Sequence, residues 1–180
     1  MSDPTKRKKS AALRICMTAI FAALACVSTF ISVPLPIGYF NLGDICVILA
    51  AYFIGPIYGA VAAGIGTALA DILMGYVTYA PATLIIKALM ALVAYGVYRG
   101  MKFALKTRKL DFLSRLLAAL AAETVMVGGY FFFEAVILGF GMGATASLVG
   151  NTLQGVAGVV GSTLIASAVY FRGDFSKGTF

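Results

Sequence analysis

The sequence predicts an all-α membrane protein of six transmembrane helices with both termini in the cytoplasm, and three observations carry that expectation. Of the 180 residues, 61% are hydrophobic and only 12% charged, whereas a soluble domain shows about 25% charged residues. Apolar stretches approaching the ~20 residues that cross a ~30 Å hydrocarbon layer follow one another along the whole chain. The 14 Lys and Arg residues, with one exception, gather around alternate connections. A single membrane domain over residues 1–180 follows, because the longest polar segment is only the connection from Arg99 to Ser114.

The first helix is read from Ala12 to Val33, after a basic cytoplasmic segment, 1–11, that carries Lys6, Arg7, Lys8 and Lys9. Cys26 follows Ala23-Leu24-Ala25, a weak match to a lipoprotein processing site, so the helix is taken as uncleaved. Cys16, Cys26 and Cys46 stand singly in apolar stretches, which points to packing rather than disulfides or a metal cluster. Pro34, Pro36 and Gly38 break the chain before a second helix, Leu42 to Ile54, that is short for a full crossing. Gly55-Pro56 then stops it and closes a tight hairpin with the third, Ile57 to Met74. Gly75 to Pro81 leads to the fourth, Ala82 to Tyr98; the fifth runs from Phe112 to Leu138, and Gly139 to Gly143 separates it from the sixth, Ala144 to Phe171, before a cytoplasmic tail, 172–180.

Orientation follows from charge. Lys6 to Lys9 with Arg14, then Arg99, Lys102, Lys106, Arg108, Lys109 and Arg115, then Arg172 and Lys177 all fall on one side of a six-helix chain. The positive-inside rule makes that side cytoplasmic. The opposite connections, Pro34 to Asn41, Gly75 to Pro81 and Gly139 to Gly143, contain no Lys or Arg. The positive balance therefore reads as topology and contact with anionic lipid, not as nucleic-acid binding.

Ionisable groups at membrane depth are costly and mark a partner, a cavity or a pathway. Asp44, Asp71, Lys87, Glu123 and Glu134 qualify. Counted from the outer helix ends at ~1.5 Å per residue, Asp71 and Lys87 share a depth, which predicts an ion pair between them. Asp44 opens the second helix, where a capping role is expected. Glu123 shares a helix face with Glu134 but lies ~16 Å deeper and is expected to face Arg115 or the cytoplasmic interior. Tyr79, Lys87, Tyr130, Glu134, Asn151 and Gln154, with Asp71 and Asn41, make an outward-facing pocket of aromatic faces, charges and amides suited to a small, flat, polar heterocycle. Tyr39 and Tyr76 read equally well as interfacial belt residues. Ala19 and Ala23 centre a small-residue stripe on the first helix, and Gly155, Gly158 and Gly161 thin one side of the sixth; such surfaces let helices approach closely.

The absence of His excludes HExxH metalloproteases, His-dependent serine hydrolases and imidazole zinc sites. No cofactor or metal site is expected. A membrane-embedded enzyme would need a catalytic constellation in place of scattered carboxylates, and a self-sufficient secondary carrier would often show a continuous polar path or repeated broken helices.

The runs Asn41-Leu42-Gly43-Asp44, Gly55-Pro56-Ile57-Tyr58-Gly59-Ala60, Ala63-Gly64-Ile65-Gly66, Ala70-Asp71, Gly75-Tyr76 and Tyr79-Ala80-Pro81-Ala82-Thr83 through Ile86-Lys87 resemble the substrate-binding S components of energy-coupling factor (ECF) transporters. The resemblance is to the hydroxymethylpyrimidine and pyridoxine-type members, akin to the riboflavin ones, with riboflavin or another vitamin as alternative cargo. It implies a six-helix plasma-membrane protein that captures a vitamin or precursor from outside. It also implies partners, a transmembrane coupling subunit docking on Ala19 and Ala23 and two ATPases, since this sequence has no GxxxxGK[ST] loop.

Overall fold

The computed structural model describes residues 4–34, 39–105 and 111–172. Among the described residues there are six α-helices: α1 (Pro4–Phe30), α2 (Gly43–Ile54), α3 (Pro56–Leu73), α4 (Ala80–Leu105), α5 (Asp111–Phe132) and α6 (Thr145–Arg172). Helix α5 runs on into one π-helical turn, Phe133–Ile137, and a 3-10 turn, Gly141–Ala144, precedes α6. By length and composition five of these helices suffice to cross a membrane, while α2, with 12 residues, is shorter. The sequence places the first helix start at Ala12 and the fourth helix end at Tyr98; both helices extend further, to Pro4 and Leu105, through their basic flanks. Pro36, Gly38, Lys106, Arg108, Lys109 and Lys177 lie outside the described residues.

The all-α expectation needs one correction. The connection from α1 to α2 contains a short antiparallel hairpin, β1 (Ser32–Pro34) and β2 (Tyr39–Asn41), with Val33 opposite Phe40. It forms at the mouth of the helix bundle, where the backbone has left helical hydrogen bonding and must be satisfied otherwise.

Alanine and glycine set the packing. The central cluster joins Val47, Ile48 and Ala51 of α2, Ala63 of α3, Met90, Ala91 and Ala94 of α4, Ala119, Ala122 and Met126 of α5 and Val159 of α6. A Cβ at Gly66 would fall 2.3 Å from the Ala22 carbonyl oxygen, and one at Gly64 would fall 2.7 Å from that of Leu84. Helix α3 therefore touches α1 and α4 backbone to backbone, as small residues permit in a membrane. Gly55, at φ +86°, and Pro56 at the first helical turn make the sharp break between α2 and α3. Large apolar side chains point outward instead, in rows such as Ile57, Val61, Ile65 and Leu69 on α3 and Val149, Leu153, Val156 and Val160 on α6. That distribution suits a hydrocarbon solvent.

A polar clamp ties four helices together around Arg115. The Arg115 guanidinium pairs with Asp111 and donates to Ser167 Oγ at 3.1 Å. Tyr98 donates to Asp111 at 3.0 Å, and Tyr52 donates to the Arg115 carbonyl at 3.0 Å. Glu123 is not a member, contrary to the sequence expectation. Its carboxylate is turned toward α6, where a Cβ at Gly158 would fall 2.0 Å from Oε1 and 3.1 Å from the Asp44 Cβ.

Candidate ligand-binding site

The site is assembled from helical repeats of about four residues. Tyr79 precedes α4 by one residue, and with Thr83 and Lys87 it forms a single face. Tyr130 and Glu134 stand one turn apart on α5 and its π-helical extension, and Ser147, Asn151 and Gln154 follow the same spacing on α6. These faces meet the hairpin, which contributes Tyr39 and Asn41, and Thr29 from the end of α1. Together they enclose a cavity of about 40 Å³ lined by Thr29, Tyr39, Asn41, Tyr79, Thr83, Lys87, Tyr130, Glu134, Asn151 and Gln154.

Of the eight residues the sequence selects for a ligand, seven line this cavity: Asn41, Tyr79, Lys87, Tyr130, Glu134, Asn151 and Gln154. The eighth, Asp71, is fully buried beside it and accepts a hydrogen bond from the Tyr39 hydroxyl. Burial is the main cause that raises the Tyr39 pKa, so its hydroxyl stays a donor. Thr29 and Thr83 are liners that the sequence does not single out, and Tyr39 is a liner whose position reads equally well as belt. A signal for Thr83 is present, since it stands four residues before Lys87.

The floor of the cavity is a hydrogen-bonded chain through four elements. Lys87 is buried and forms its ion pair with Asp44, not with Asp71. The other Asp44 oxygen accepts from Gln154 Nε2 at 2.7 Å, while Gln154 Oε1 accepts from Asn41 Nδ2 at 3.0 Å and from the Asn41 backbone N–H at 3.2 Å. Asp44 thus makes no side-chain cap hydrogen bond at the α2 N-terminus; Asn41 Oδ1 accepts the Gly43 N–H instead. The physical reason is the hairpin. It carries the chain inward before α2 starts, so that Asp44 enters the helix at the depth of Lys87.

The opposite wall holds Glu134, which accepts from Ser147 Oγ and, at 3.4 Å, from the Tyr79 hydroxyl. The Thr83 and Tyr130 hydroxyls lie 2.9 Å apart, and the Lys87 ammonium sits 5.4 Å from the Tyr130 ring centroid. Ring contacts run from Tyr39 to Tyr76 at 5.1 Å, from Tyr76 to Tyr79 at 6.4 Å and from Tyr79 to Phe133 at 5.5 Å. Donors, acceptors and π faces therefore converge on one enclosed point, the composition of a site for a polar aromatic ring. Among the described residues no group of three or more Cys, Asp and Glu is arranged to hold a metal ion.

Comparison with known proteins agrees with this architecture. The chain is 32% identical over 140 residues, 77% of its length and 88% of the relative's, to an uncharacterized protein in a gap 3' region of Pyrococcus woesei. It shares its fold with a solved S component of a bacterial ECF transporter, with TM-score 0.65 at 20% identity over 93% of this chain and 99% of that one. Residues 9–170 match the model of the family described as ECF-type riboflavin transporter, S component. With that match spanning the helical bundle and every cavity-lining residue, this chain belongs to the ECF-type riboflavin transporter S component family.

Proposed function

We propose that this protein is a plasma-membrane binding subunit that captures riboflavin from the extracellular side and hands it over through a transmembrane coupling subunit and two ATPases. The observation that carries the reading is the small pocket between the Asp44–Lys87 pair and Glu134, lined by Tyr39, Tyr79 and Tyr130, in a chain of this family. A flavin ring presents carbonyl and imine acceptors beside an N–H donor. Lys87, Asn151 and Gln154 supply donors, Glu134 supplies an acceptor, and Tyr79 and Tyr130 flank the plane. The pocket end of the bundle is the outer end by the positive-inside rule, which places both termini inside.

A cavity of about 40 Å³ has room for little more than a water or two, whereas ligand pockets run to ~300–1,000 Å³. Entry therefore requires an element to move outward. The two strands at the mouth are three residues each and held by a few side-chain contacts, whereas α3 is locked to α1, α2 and α4 by backbone contact. The compactness of the cavity also favours a second reading, a single-ring cargo such as hydroxymethylpyrimidine or pyridoxine.

Docking of the coupling subunit falls to α1. Ala19 and Ala23 are both exposed, and α1 buries little besides Ala25 and Thr29. That leaves a small-residue stripe facing outward, open to a partner helix. Fluorescence titration of the purified chain with riboflavin, with pyridoxine and hydroxymethylpyrimidine as competitors, tests the proposal. Saturable riboflavin binding is expected, and displacement of a bound pyrimidine with no flavin binding would favour the second reading.

A further inference from the structure

Glu123 stands near the middle of α5, about 18 Å from Asp111 at the start of that helix and about 21 Å from Ile137 at the end of its π-helical turn, counted at ~1.5 Å per residue. It is only 5% exposed, and neither carboxylate oxygen has a hydrogen-bond partner among the described residues. The donors around it are engaged elsewhere. Asp44 and Lys87 are the charged groups that act on it, and the Lys87 ammonium pairs with Asp44. Arg115, two turns away on α5, pairs with Asp111 and donates to Ser167, while the Thr124 hydroxyl donates to the Leu120 carbonyl at 2.9 Å. A carboxyl group left without a donor at membrane depth is costly.

Beside it, α5 and α6 part to leave a groove of about 590 Å³, lined by Leu120, Val127 and Gly128 on one side and Gly155, Val156 and Val160 on the other, with Glu123 as its one ionisable member. Leu120, Val156 and Val160 are exposed, so the groove opens toward the hydrocarbon. Its volume is that of a small-molecule site. From Leu120 to Gly128 it runs only about 12 Å along α5, too short a trough for a transmembrane helix, whose apolar span covers ~30 Å. A lipid headgroup stays at the surface and does not reach the depth of Glu123.

We propose that the α5–α6 groove is a binding site for a lipophilic amine that enters from the bilayer, its apolar arms lying between the helices and its nitrogen donating to Glu123. An amine N–H meets a carboxyl oxygen in either protonation state of the acid, and a protonated amine adds a charge opposite to that of the carboxylate in a groove whose lining holds no Lys or Arg. The site is separate from the outer cavity and does not depend on which cargo fills it.

The test is photolabelling of the full chain in lipid nanodiscs, read by peptide mass spectrometry, with a dialkylamine that carries a diazirine and with its isostere bearing CH2 in place of the N–H. The amine is expected to label residues 120–128 and 152–160 saturably, at a half-saturating concentration at least tenfold below that of the isostere. Losing a hydrogen bond to a charged group corresponds to roughly ten- to a hundredfold. Glu123→Gln should weaken labelling by the amine by about that factor and leave the isostere unchanged. A Cβ at Gly128 meets nothing within 4 Å, so Gly128→Leu should fold, project into the groove and block both probes; it carries the test if the glutamine variant does not fold. Equal half-saturation of the two probes, amine labelling that survives either substitution, or no labelling by either probe because a second copy covers the groove would each overturn the proposal.

Discussion

The Asp44–Lys87 pair is the most consequential contact at the residue scale, because it joins α2 to α4 at the floor of the pocket. Removing one member leaves the other buried and unpaired. Asp44→Leu or Lys87→Met alone should cost about 3–5 kcal/mol of stability, read as a lowered thermal midpoint in detergent. Combining the two should recover most of that loss, whereas Lys87→Met with Asp71→Leu should recover none. Glu134 makes a different demand, since it faces the cavity and, among the described residues, its carboxylate accepts from Ser147 and Tyr79. Glu134→Gln should weaken cargo binding by about 2–5 kcal/mol, some 30-fold or more, with little change in the thermal midpoint. The site was largely legible at this scale, because a Lys, a Glu and two amides are too costly at membrane depth unless a cavity or a partner receives them. The partner of Lys87 was not legible. Depth counted from helix ends assumes that every helix begins at the surface, and α2 does not.

Elements are governed here by how closely their backbones approach. Gly66 has no room for a Cβ against the Ala22 carbonyl, while Gly96 on α4 has nothing within 4 Å. Gly66→Val should therefore force α1 off α3 and destabilise by about 1–3 kcal/mol or more. Gly96→Ala should be neutral or stabilise by up to about 1 kcal/mol; equal effects of the two in thermal unfolding would contradict the packing described. Ala19→Leu with Ala23→Leu lies on an exposed face, so folding and cargo affinity should survive while capture by the coupling subunit in a pull-down is lost. The helices were legible because apolar runs and Gly–Pro breaks are long-range signals. The hairpin was not. Its strands are three residues each, too short for alternation to show, and Pro34 within β1 reads as a breaker. Glu123 escaped for a related reason: its orientation depends on Gly155 and Gly158 across the α5–α6 contact, which spacing along one helix does not reveal.

Over the whole molecule the two polar assemblies divide the labour. The clamp around Arg115 fixes α2, α4, α5 and α6 to one another at one end, and the pocket with its hairpin occupies the other. Helix α1, packed on α3, turns Ala19 and Ala23 outward, the face proposed for docking. Vesicles containing this chain alone should bind cargo without accumulating it, and accumulation should appear only when coupling subunit, ATPases and ATP are supplied. The most direct measurement of the central claim is equilibrium titration of the purified chain with riboflavin, set beside the same titration of Lys87→Met and Glu134→Gln. The expected result is saturable one-to-one binding in the wild type, weakened at least 30-fold in each variant. Flavin binding of wild-type strength in both variants would contradict the assignment of this pocket as the cargo site.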